Sequence, residues 1–296
     1  MMKNILLGTD WWTDCDDAVA VRLLARAHKA GEIKLIGIGI NACMEHSVPS
    51  LGAFLRAEGI EDEIPLGIDL AGDDFGGRLT YQYNLAKHPT KYRSNEEAED
   101  AVRLYRRLLS ESTEPVEIIE IGFLQVFADL LESRPDELSD KTGIELVKEK
   151  VTKVWVMAGK WDEDGGKENN FERNARSRKG GSIFCEKCPV PVTFLGWEIG
   201  IKVVTGSELP DSDFLKQVLN DHGSVNGRYS WDPMTVMLAL IGDEKAAGYR
   251  VVQGTASVDS ETGENHFVPS SKGLHKYVIM DREPVFYQNQ INEKIR

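Results

Sequence analysis

Four aspartates crowd one short segment near the N-terminus of this 296-residue chain. They lie within eight positions, in the sequence Gly8-Thr-Asp-Trp-Trp-Thr-Asp-Cys-Asp-Asp17. Carboxylates this close together repel one another, which costs free energy unless a cation offsets the repulsion. Capping of a helix N-terminus accounts for one such aspartate but not for four. The segment therefore predicts a site for a hard divalent cation such as calcium or magnesium.

The acidic segment lies between a predicted strand and a predicted helix. Residues 4–10 are typical of a buried strand that ends on an acid, and the apolar spacing predicts a helix from about Asp16 to Ala30. Residues 34–41 predict a second buried strand. A strand, a helix and a strand in this order favour a parallel sheet with a right-handed crossover. In such open sheets, ligands bind beyond the carboxyl ends of the strands, where these aspartates lie.

The same alternation continues along the chain. Further strands are predicted over residues 64–68, 116–122, 151–157 and 190–195, and further helices over residues 49–58, 95–112, 124–132, 211–221 and 232–241. Residues 72–95 predict a loop, and residues 249–280 alternate like antiparallel strands. We therefore expect one α/β domain over residues 1–296. It has an open, mostly parallel sheet with helices on both faces and a Rossmann-like core.

Composition and charge narrow the class of protein. Hydrophobic residues make up 41% of the chain and charged residues 28%, as in an ordinary globular protein. The 35 basic and 48 acidic side chains give a net charge of −13, which disfavours nucleic acid as a partner. No apolar run approaches the length of a membrane span, and the N-terminus lacks the pattern of a signal peptide. We therefore expect a cytoplasmic protein that does not bind membranes.

Four cysteines in a chain of this length do not form a disulfide framework. Cys185 and Cys188 form a C-x-x-C pair, which is compatible with a redox pair or with half of a zinc site. A zinc site needs a second pair, and Cys15 and Cys43 do not have that spacing. We expect Cys185 and Cys188 to be free thiols.

Two enzyme families place aspartates after the first strand of such a sheet. Haloacid-dehalogenase-like phosphatases use a D-x-D pattern, but Trp12 occupies the position of its second acid. Residues 8–20 resemble instead the D-x-D-x-x-x-D-D-A motif of the nucleoside hydrolases, in a longer form with one extra acid. Further segments resemble motifs of that family in the same order along the chain: Asn41, residues 121–126, 157–159, 167–171 and 231–234.

This resemblance implies a calcium-dependent enzyme that hydrolyses the N-glycosidic bond of a ribonucleoside. Asp10, Asp17 and Asp232 would bind Ca²⁺ through their side chains, and the backbone carbonyl of Gln125 would be a fourth ligand. Asp10 would also accept a proton from the attacking water. The resemblance, together with the pattern of tryptophans, predicts that the following residues bind the ribose or the base: Trp12, Asp14, Asp16, Asn41, Glu168, Asn170 and Trp231. The family is usually dimeric or tetrameric, so we expect a homo-oligomer.

Three departures from the family pattern affect the expected chemistry. Gly8 stands where the motif has its first acid. The segment also carries one more acid than the motif, so two alignments stay open, one with Asp14 and one with Asp16 as the ribose ligand. Trp231 stands where many members have a histidine that protonates the leaving base, and an indole is not a general acid. If Trp12 and Trp231 stack on the base instead, purine ribosides are the preferred substrates. Two alternatives stay open: a non-catalytic relative that binds a riboside or a metal, and a metal-dependent phosphatase, which Trp12 disfavours.

Several of these residues also have simpler interpretations. Asp232, which precedes Pro233, fits the N-cap of a helix, and Asn41 fits an ordinary turn. Glu168 and Asn170 lie in the polar stretch of residues 162–178, which is compatible with a solvated loop.

Overall fold

The computed structural model describes residues 2–77 and 81–296. In chain order, the strands are β1 (Lys3–Thr9), β2 (Ile33–Ile40), β3 (Leu66–Ile68), β4 (Glu99–Asp100), β5 (Val116–Glu120), β6 (Val151–Met157), β7 (Val192–Leu195), β8 (Val204–Thr205), β9 (Arg228–Tyr229), β10 (Tyr249–Val258), β11 (Asn265–Pro269) and β12 (His275–Met280). The helices are α1 (Asp16–Lys29), α2 (Ser47–Ala57), α3 (Tyr81–Leu85), α4 (Ala101–Glu111), α5 (Gln125–Glu132), α6 (Gly143–Lys150), α7 (Asn169–Glu172), α8 (Ala175–Lys187), α9 (Trp197–Gly200), α10 (Phe214–His222), α11 (Trp231–Ile241) and α12 (Pro284–Ile295).

Ten strands form the central sheet, in the order β11-β10-β12-β7-β6-β5-β1-β2-β3-β4. Among the described strands of this sheet, β10 alone runs antiparallel to all the others, and β8 and β9 form a separate antiparallel pair. From β1 the chain builds β2, β3 and β4 on one side and then crosses to add β5, β6 and β7 on the other. The strand order therefore reverses between β1 and β5, and such a reversal opens a crevice at the carboxyl ends of the strands.

Helices cover both faces of this sheet. Successive apolar side chains of a central strand point to opposite faces, so each face needs a covering layer. On β1, Ile5 and Leu7 pack into the core shared with α1 and α11, and Leu6 packs into the core shared with α4 and α5. All three side chains are fully buried, which explains why this strand is a continuous apolar run. The predicted fold class, an open and mostly parallel α/β sheet with helices on both faces, is confirmed. No helix within the described residues is long and apolar enough to cross a membrane.

Two sequence predictions differ from the structure near the middle of the chain. The loop predicted for residues 72–95 contains part of a 3₁₀ turn, Leu70–Phe75, and helix α3, and its residues 78–80 lie outside the described residues. The helix predicted for residues 95–112 begins only at Ala101. Its first residues instead form a 3₁₀ turn and strand β4, because β4 pairs with β3 and the Asp100 side chain caps α4 by accepting from the Arg103 amide at 2.8 Å.

Helix α8 lies partly within the polar stretch that is compatible with a solvated loop. A capping box starts this helix, since Asn174 accepts from the Ser177 amide at 2.9 Å and the Ser177 hydroxyl accepts from the Asn174 amide at 2.8 Å. The helix packs closely on α5 because Gly180 has no side chain, and a Cβ there would lie 2.7 Å from the Gln125 backbone. Cys185, near its end, and Cys188 are buried and not disulfide-bonded.

A buried carboxyl group occupies the space beside Gly8, where the family motif has its first acid. Glu120 is fully buried at the end of β5, and a Cβ on Gly8 would overlap its carboxylate. The Tyr105 hydroxyl donates to Glu120 Oε1 at 3.0 Å, whereas Oε2 has no protein partner. Burial raises the pKa of Glu120 to about 8, and the hydrogen bond from Tyr105 opposes this shift only in part.

Glu120 is expected to make stability depend on pH. The folded-state pKa of Glu120 lies above the ordinary value of 4.5, so the folded protein keeps this proton at pH values where the unfolded chain has lost it. The contribution of Glu120 to the free energy of unfolding is therefore complete below about pH 4.5 and is lost as the pH rises through about 8. At a fixed calcium concentration, the unfolding free energy of the wild type should therefore fall more steeply between pH 5.5 and 7.5 than that of Glu120→Gln. One group changes this slope by at most about 1.4 kcal/mol per pH unit.

Urea unfolding at several pH values measures this difference. Glu111→Gln, at an exposed carboxyl on α4, is the matched control and should follow the wild-type curve. Parallel curves for the wild type and Glu120→Gln would show that this buried carboxyl does not titrate in the folded protein as described.

Candidate active site

A cavity of about 370 Å³ opens at the carboxyl edge of the sheet, and residues that follow β1, β5 and β6 contribute to its wall. Its lining residues are Asp10, Trp12, Thr13, Asp14, Asp16, Asp17, Ile121, Met157, Glu168, Asn169, Asn170, Arg173, Trp197, Trp231 and Asp232. The cavity brings together nine of the eleven site residues predicted from the sequence. The other two, Asn41 and Gln125, lie outside its lining.

A strained turn at Trp11 aims the following residues at the cavity. Trp11 has φ of 40°, in the left-handed region that bulky residues rarely adopt. Its amide donates to the hydroxyl of Thr9 at 3.1 Å and to the carboxylate of Asp17 at 3.2 Å, and its indole donates to the hydroxyl of Ser50 at 2.8 Å. The Trp11 ring is buried in the core and does not line the cavity. Trp11 therefore holds the turn, and Trp12 contacts the cavity.

Three carboxylates meet at the bottom of the site. One oxygen each of Asp16, Asp17 and Asp232 lie within 4.8 Å of one another, and all three side chains are buried. Asp16 and Asp17 belong to the first turn of α1, and Asp232 belongs to the first turn of α11. The N-terminal ends of two helix dipoles thus favour negative charge at this point. Asp232 is not the helix cap, because Ser230 occupies that position.

Burial and mutual repulsion raise the pKa values of these acids. Burial is the largest cause for Asp10, Asp16 and Asp232, followed by the charges of neighbouring aspartates, and their pKa values lie well above the usual range. Burial also raises the pKa of Asp17 to about 7, although the Thr9 hydroxyl donates to its carboxylate. A divalent cation would remove this repulsion, and carboxylate oxygens are the hard donors that Ca²⁺ and Mg²⁺ prefer. The residues present therefore fit such an ion.

Asp14 differs from the other aspartates because it has a cationic partner. Arg228, in β9, donates to both of its carboxylate oxygens, from Nε at 2.8 Å and from Nη2 at 2.5 Å. His222 Nε2 lies 4.0 Å from the same carboxylate. Arg228 also lies over the ring of Trp231, with its guanidinium carbon 5.5 Å from the ring centroid. Arg228, which is distant in sequence, thus neutralises the charge of Asp14.

Glu168 and Asn170 form a rigid wall of the cavity rather than a solvated loop. Glu168 accepts from the Gly159 amide and from the Asn170 amide, each at 3.0 Å, and caps the short helix α7. The Asn170 side chain donates to the Met157 carbonyl at 2.8 Å. Both side chains are buried, and burial raises the pKa of Glu168 to about 7.

Asn41 and Gln125 lie behind the cavity and support its wall. Asn41 accepts from the Phe123 amide at 3.0 Å, and the Gln125 side chain donates to the Asn41 carbonyl. Gly122 permits this close packing, because a Cβ there would overlap the Asp10 amide and lie 2.6 Å from Asn41 Oδ1. The Asn41 side-chain amide nitrogen is buried without a protein partner.

The tryptophans near the motifs have different environments. Trp12 and Trp231 line the cavity, whereas Trp161 packs in the core against Phe194 and Tyr277. The Trp12 indole donates to the Gly76 carbonyl at 2.5 Å, and the Trp231 indole donates to the Trp197 carbonyl at 2.8 Å. Both indole N–H groups are therefore engaged with the protein. Among the described residues, no histidine lines the cavity.

Sequence reasoning missed three contributors to the site. Trp197 follows the carboxyl end of β7 and lines the cavity with 40% of its surface exposed, so its position after a strand was an available signal. Arg173 lies three residues after Asn170 and also lines the cavity. Arg228 had no local signal, because its partner Asp14 lies 214 positions away.

The overall structure resembles those of solved nucleoside hydrolases. A plant nucleoside hydrolase has a TM-score of 0.72 and 15% identity, with coverage of 100% of this chain and 99% of that one. A purine-preferring ribonucleoside hydrolase from Gardnerella vaginalis has a TM-score of 0.69 and 16% identity, with coverage of 99% and 98%. An inosine-uridine preferring nucleoside hydrolase from Bacillus anthracis has a TM-score of 0.66 and 15% identity, with coverage of 99% and 100%.

No protein-family model matches the sequence, and no curated protein matches it either. At such low identity, the structural likeness establishes the fold and not the substrate. The resemblance that the sequence motifs predict is confirmed at this level, since the likeness covers the whole chain. This chain has the fold of the nucleoside hydrolases.

Proposed function

We propose that this protein hydrolyses the N-glycosidic bond of ribonucleosides and releases the free base and ribose. One observation carries the proposal: five buried acids converge on one cavity at the point where strand order reverses, in a chain with the nucleoside hydrolase fold. These acids are Asp10, Asp16, Asp17, Glu168 and Asp232. Acidic groups stabilise the positive charge that the sugar ring gains in an oxocarbenium-like transition state.

The acids divide into groups with different proposed roles. Asp10, Asp17 and Asp232 would hold a Ca²⁺ ion, and the Gln125 backbone carbonyl is left out of this ligand set because Gln125 lies outside the cavity lining. The ion, when bound, lowers the pKa of water and so supplies a nucleophile near neutral pH. Asp10 accepts the proton from the attacking water, a role open to a carboxylate that lines the cavity.

The sugar is held between α1 and α7. Asp16 accepts hydrogen bonds from ribose hydroxyls, and Glu168 and Asn170 contact the other side of the ring. The pairing of Asp14 with Arg228 supports Asp16 rather than Asp14 as the ribose ligand, since both oxygens of Asp14 already accept from a guanidinium. Asn41 supports the cavity wall from behind, because its side-chain oxygen accepts a hydrogen bond from the Phe123 amide.

The departing base is recognised by aromatic stacking. Trp12 and Trp231 line the cavity, and their N–H groups are held by carbonyls, so the ring faces rather than the N–H groups meet the base. Stacking is worth about 1–3 kcal/mol per base and favours a large ring system. On this ground the preferred substrates are purine ribosides.

A second candidate function is riboside binding without turnover. The observation that favours it is the lack of a histidine: among the described residues none lines the cavity, and the Trp231 indole is engaged with Trp197. Incubation with a panel of nucleosides distinguishes the two functions. The hydrolase releases base and ribose, whereas a binding protein is stabilised by ligand and releases no product.

The metal site gives the first prediction for this function. Calorimetric titration with Ca²⁺ should show one tight site in the wild type and affinity at least about tenfold weaker in Asp232→Asn, because a charged oxygen ligand is lost. Asp14→Asn is the matched control, since Asp14 is paired with Arg228, and it should retain the wild-type affinity. Equal affinity in the wild type and Asp232→Asn, or no calcium binding by the wild type, would exclude this site.

The second prediction concerns the proton acceptor. Asp10→Asn should lower kcat for inosine by about 100-fold or more, because it removes both a general base and a charged metal ligand. Steady-state rates at saturating Ca²⁺ give the comparison with the wild type. Wild-type turnover by Asp10→Asn, on a substrate that the parent cleaves, would remove Asp10 from the mechanism.

The third prediction concerns the leaving base. The wild type should cleave inosine faster than uridine, and Trp231→Ala should lower kcat/KM for inosine by about tenfold, as expected for the loss of stacking on one ring. Trp231→Phe keeps an aromatic face and should retain most of the activity. Faster cleavage of uridine by the parent, or equal losses in the alanine and phenylalanine variants, would rule out base stacking as the source of the preference.

Three further expectations stay predictions from the sequence. These are a single domain over residues 1–296, a cytoplasmic location and a homo-oligomer, either dimer or tetramer. Gel filtration with light scattering measures the oligomeric state directly.

A further inference from the structure

One positive charge lines a cavity that is otherwise acidic. Arg173 is the only cationic side chain among the described lining residues, against six carboxylates. It follows α7 directly, three residues after Asn170. Its place in the site raises the question of which ligand it recognises, because a neutral ribonucleoside offers no anion.

The protein holds the Arg173 guanidinium in a fixed orientation. Nε and Nη2 donate to the Phe75 carbonyl at 3.1 and 3.0 Å, and the guanidinium carbon lies 4.7 Å from the centroid of the Trp12 ring. The same short segment fixes that ring, since the Trp12 indole donates to the Gly76 carbonyl. A cation held on a carbonyl and an aromatic face retains its full charge for a ligand.

Arg173 also differs from its neighbours in having no acidic partner. No carboxylate of residues 2–77 and 81–296 lies within ion-pairing distance of it, and its Nη1 donates to none of these residues. By contrast, Arg176 pairs with Asp69 at 2.6 Å and with Asp74 at 3.3 Å, and Arg228 pairs with Asp14. Of the acids that line the cavity, only Asp14 has an arginine partner, and Arg173 pairs with none of the described carboxylates.

We infer that the substrate is a riboside that carries a phosphate on its 5′-oxygen and that Arg173 binds this phosphate. This inference rests on the proposed function, in which Asp16 accepts hydrogen bonds from ribose hydroxyls; with the 2′,3′-diol on Asp16 and the metal ligands, the 5′-oxygen is left to carry a substituent. Arg173 belongs to the same segment as Glu168 and Asn170, which hold the sugar. A guanidinium matches phosphate geometry by donating two parallel hydrogen bonds.

The proposed reaction of the riboside 5′-phosphate is a hydrolysis of its N-glycosidic bond. Water adds to C1′ as the C1′–N bond breaks, and its proton passes to Asp10. The base leaves with the bonding electron pair and takes up one proton, and the second product is ribose 5-phosphate. The phosphate ester stays intact throughout, so the expected products differ from those of a phosphatase.

Two substrates that differ only in the 5′-phosphate test the inference. Wild-type protein is assayed with inosine and with inosine 5′-monophosphate, and hypoxanthine release is measured for both. The wild type should have the higher kcat/KM for the monophosphate, and Arg173→Gln should lower that ratio by about 10- to 100-fold, as expected for charge-assisted hydrogen bonds. Arg176→Gln, which removes a nearby arginine that is already paired, should leave the ratio unchanged.

Product binding supplies a readout that does not depend on turnover. Calorimetry should give tighter binding of ribose 5-phosphate than of ribose to the wild type, and Arg173→Gln should abolish the difference. Cleavage of inosine without any preference for the monophosphate would overturn this inference and leave the proposed function standing. Failure to cleave either compound would refute the proposed function, and equal affinity for the two sugars would then overturn the inference as well.

Discussion

Repulsion among buried carboxylates is the constraint on which the other features of this site depend. Oxygens of Asp16, Asp17 and Asp232 lie within 4.8 Å of one another. Two unit charges at that separation repel by about 3–4 kcal/mol at an effective dielectric constant of about 20. That energy is a large part of the net stability of a folded domain. The fold therefore has to supply positive potential here, and it does so from two helix N-termini, from backbone amides and from Arg228.

The turn after β1 shows how local sequence meets this constraint. Trp11 and Trp12 are adjacent and identical in type, yet one is buried in the core and the other lines the cavity. The left-handed backbone at Trp11 reverses the chain so that its amide reaches the Asp17 carboxylate. Two anchors hold this strained conformation: the indole bond to Ser50 and a hydrogen bond from the Gln82 side chain to the Trp11 carbonyl. Trp11 thus serves as a structural support for the turn, whereas Trp12 faces the cavity.

The parts of the fold and site that the sequence predicted correctly are those with local signals. The aspartates of residues 10–17 follow an apolar strand and open an amphipathic helix, so their place at the sheet edge followed from strand and helix patterns, whereas Asp232 was placed with them only by the family resemblance. Helix α8 was missed because its charged and glycine-rich sequence is typical of a loop. Its glycine at position 180 is needed for tight packing on α5, which is a tertiary property. The pairing of Asp14 with Arg228 joins residues 214 positions apart, and no local pattern encodes it.

The distribution of charge also bears on how an indole can occupy this part of the cavity wall. Asp14 pairs with Arg228, and that arginine lies over the ring of Trp231. Replacing a titratable imidazole by an indole removes a proton donor, but it leaves a polarisable face between a cation and the cavity. The Trp231 side chain carries no titratable group, whereas Asp17 and Glu168, whose pKa values are raised by burial to about 7, change charge near neutral pH. An indole offers a flat face and no transferable proton, so the groups that can move protons among the described lining residues are the carboxyl groups.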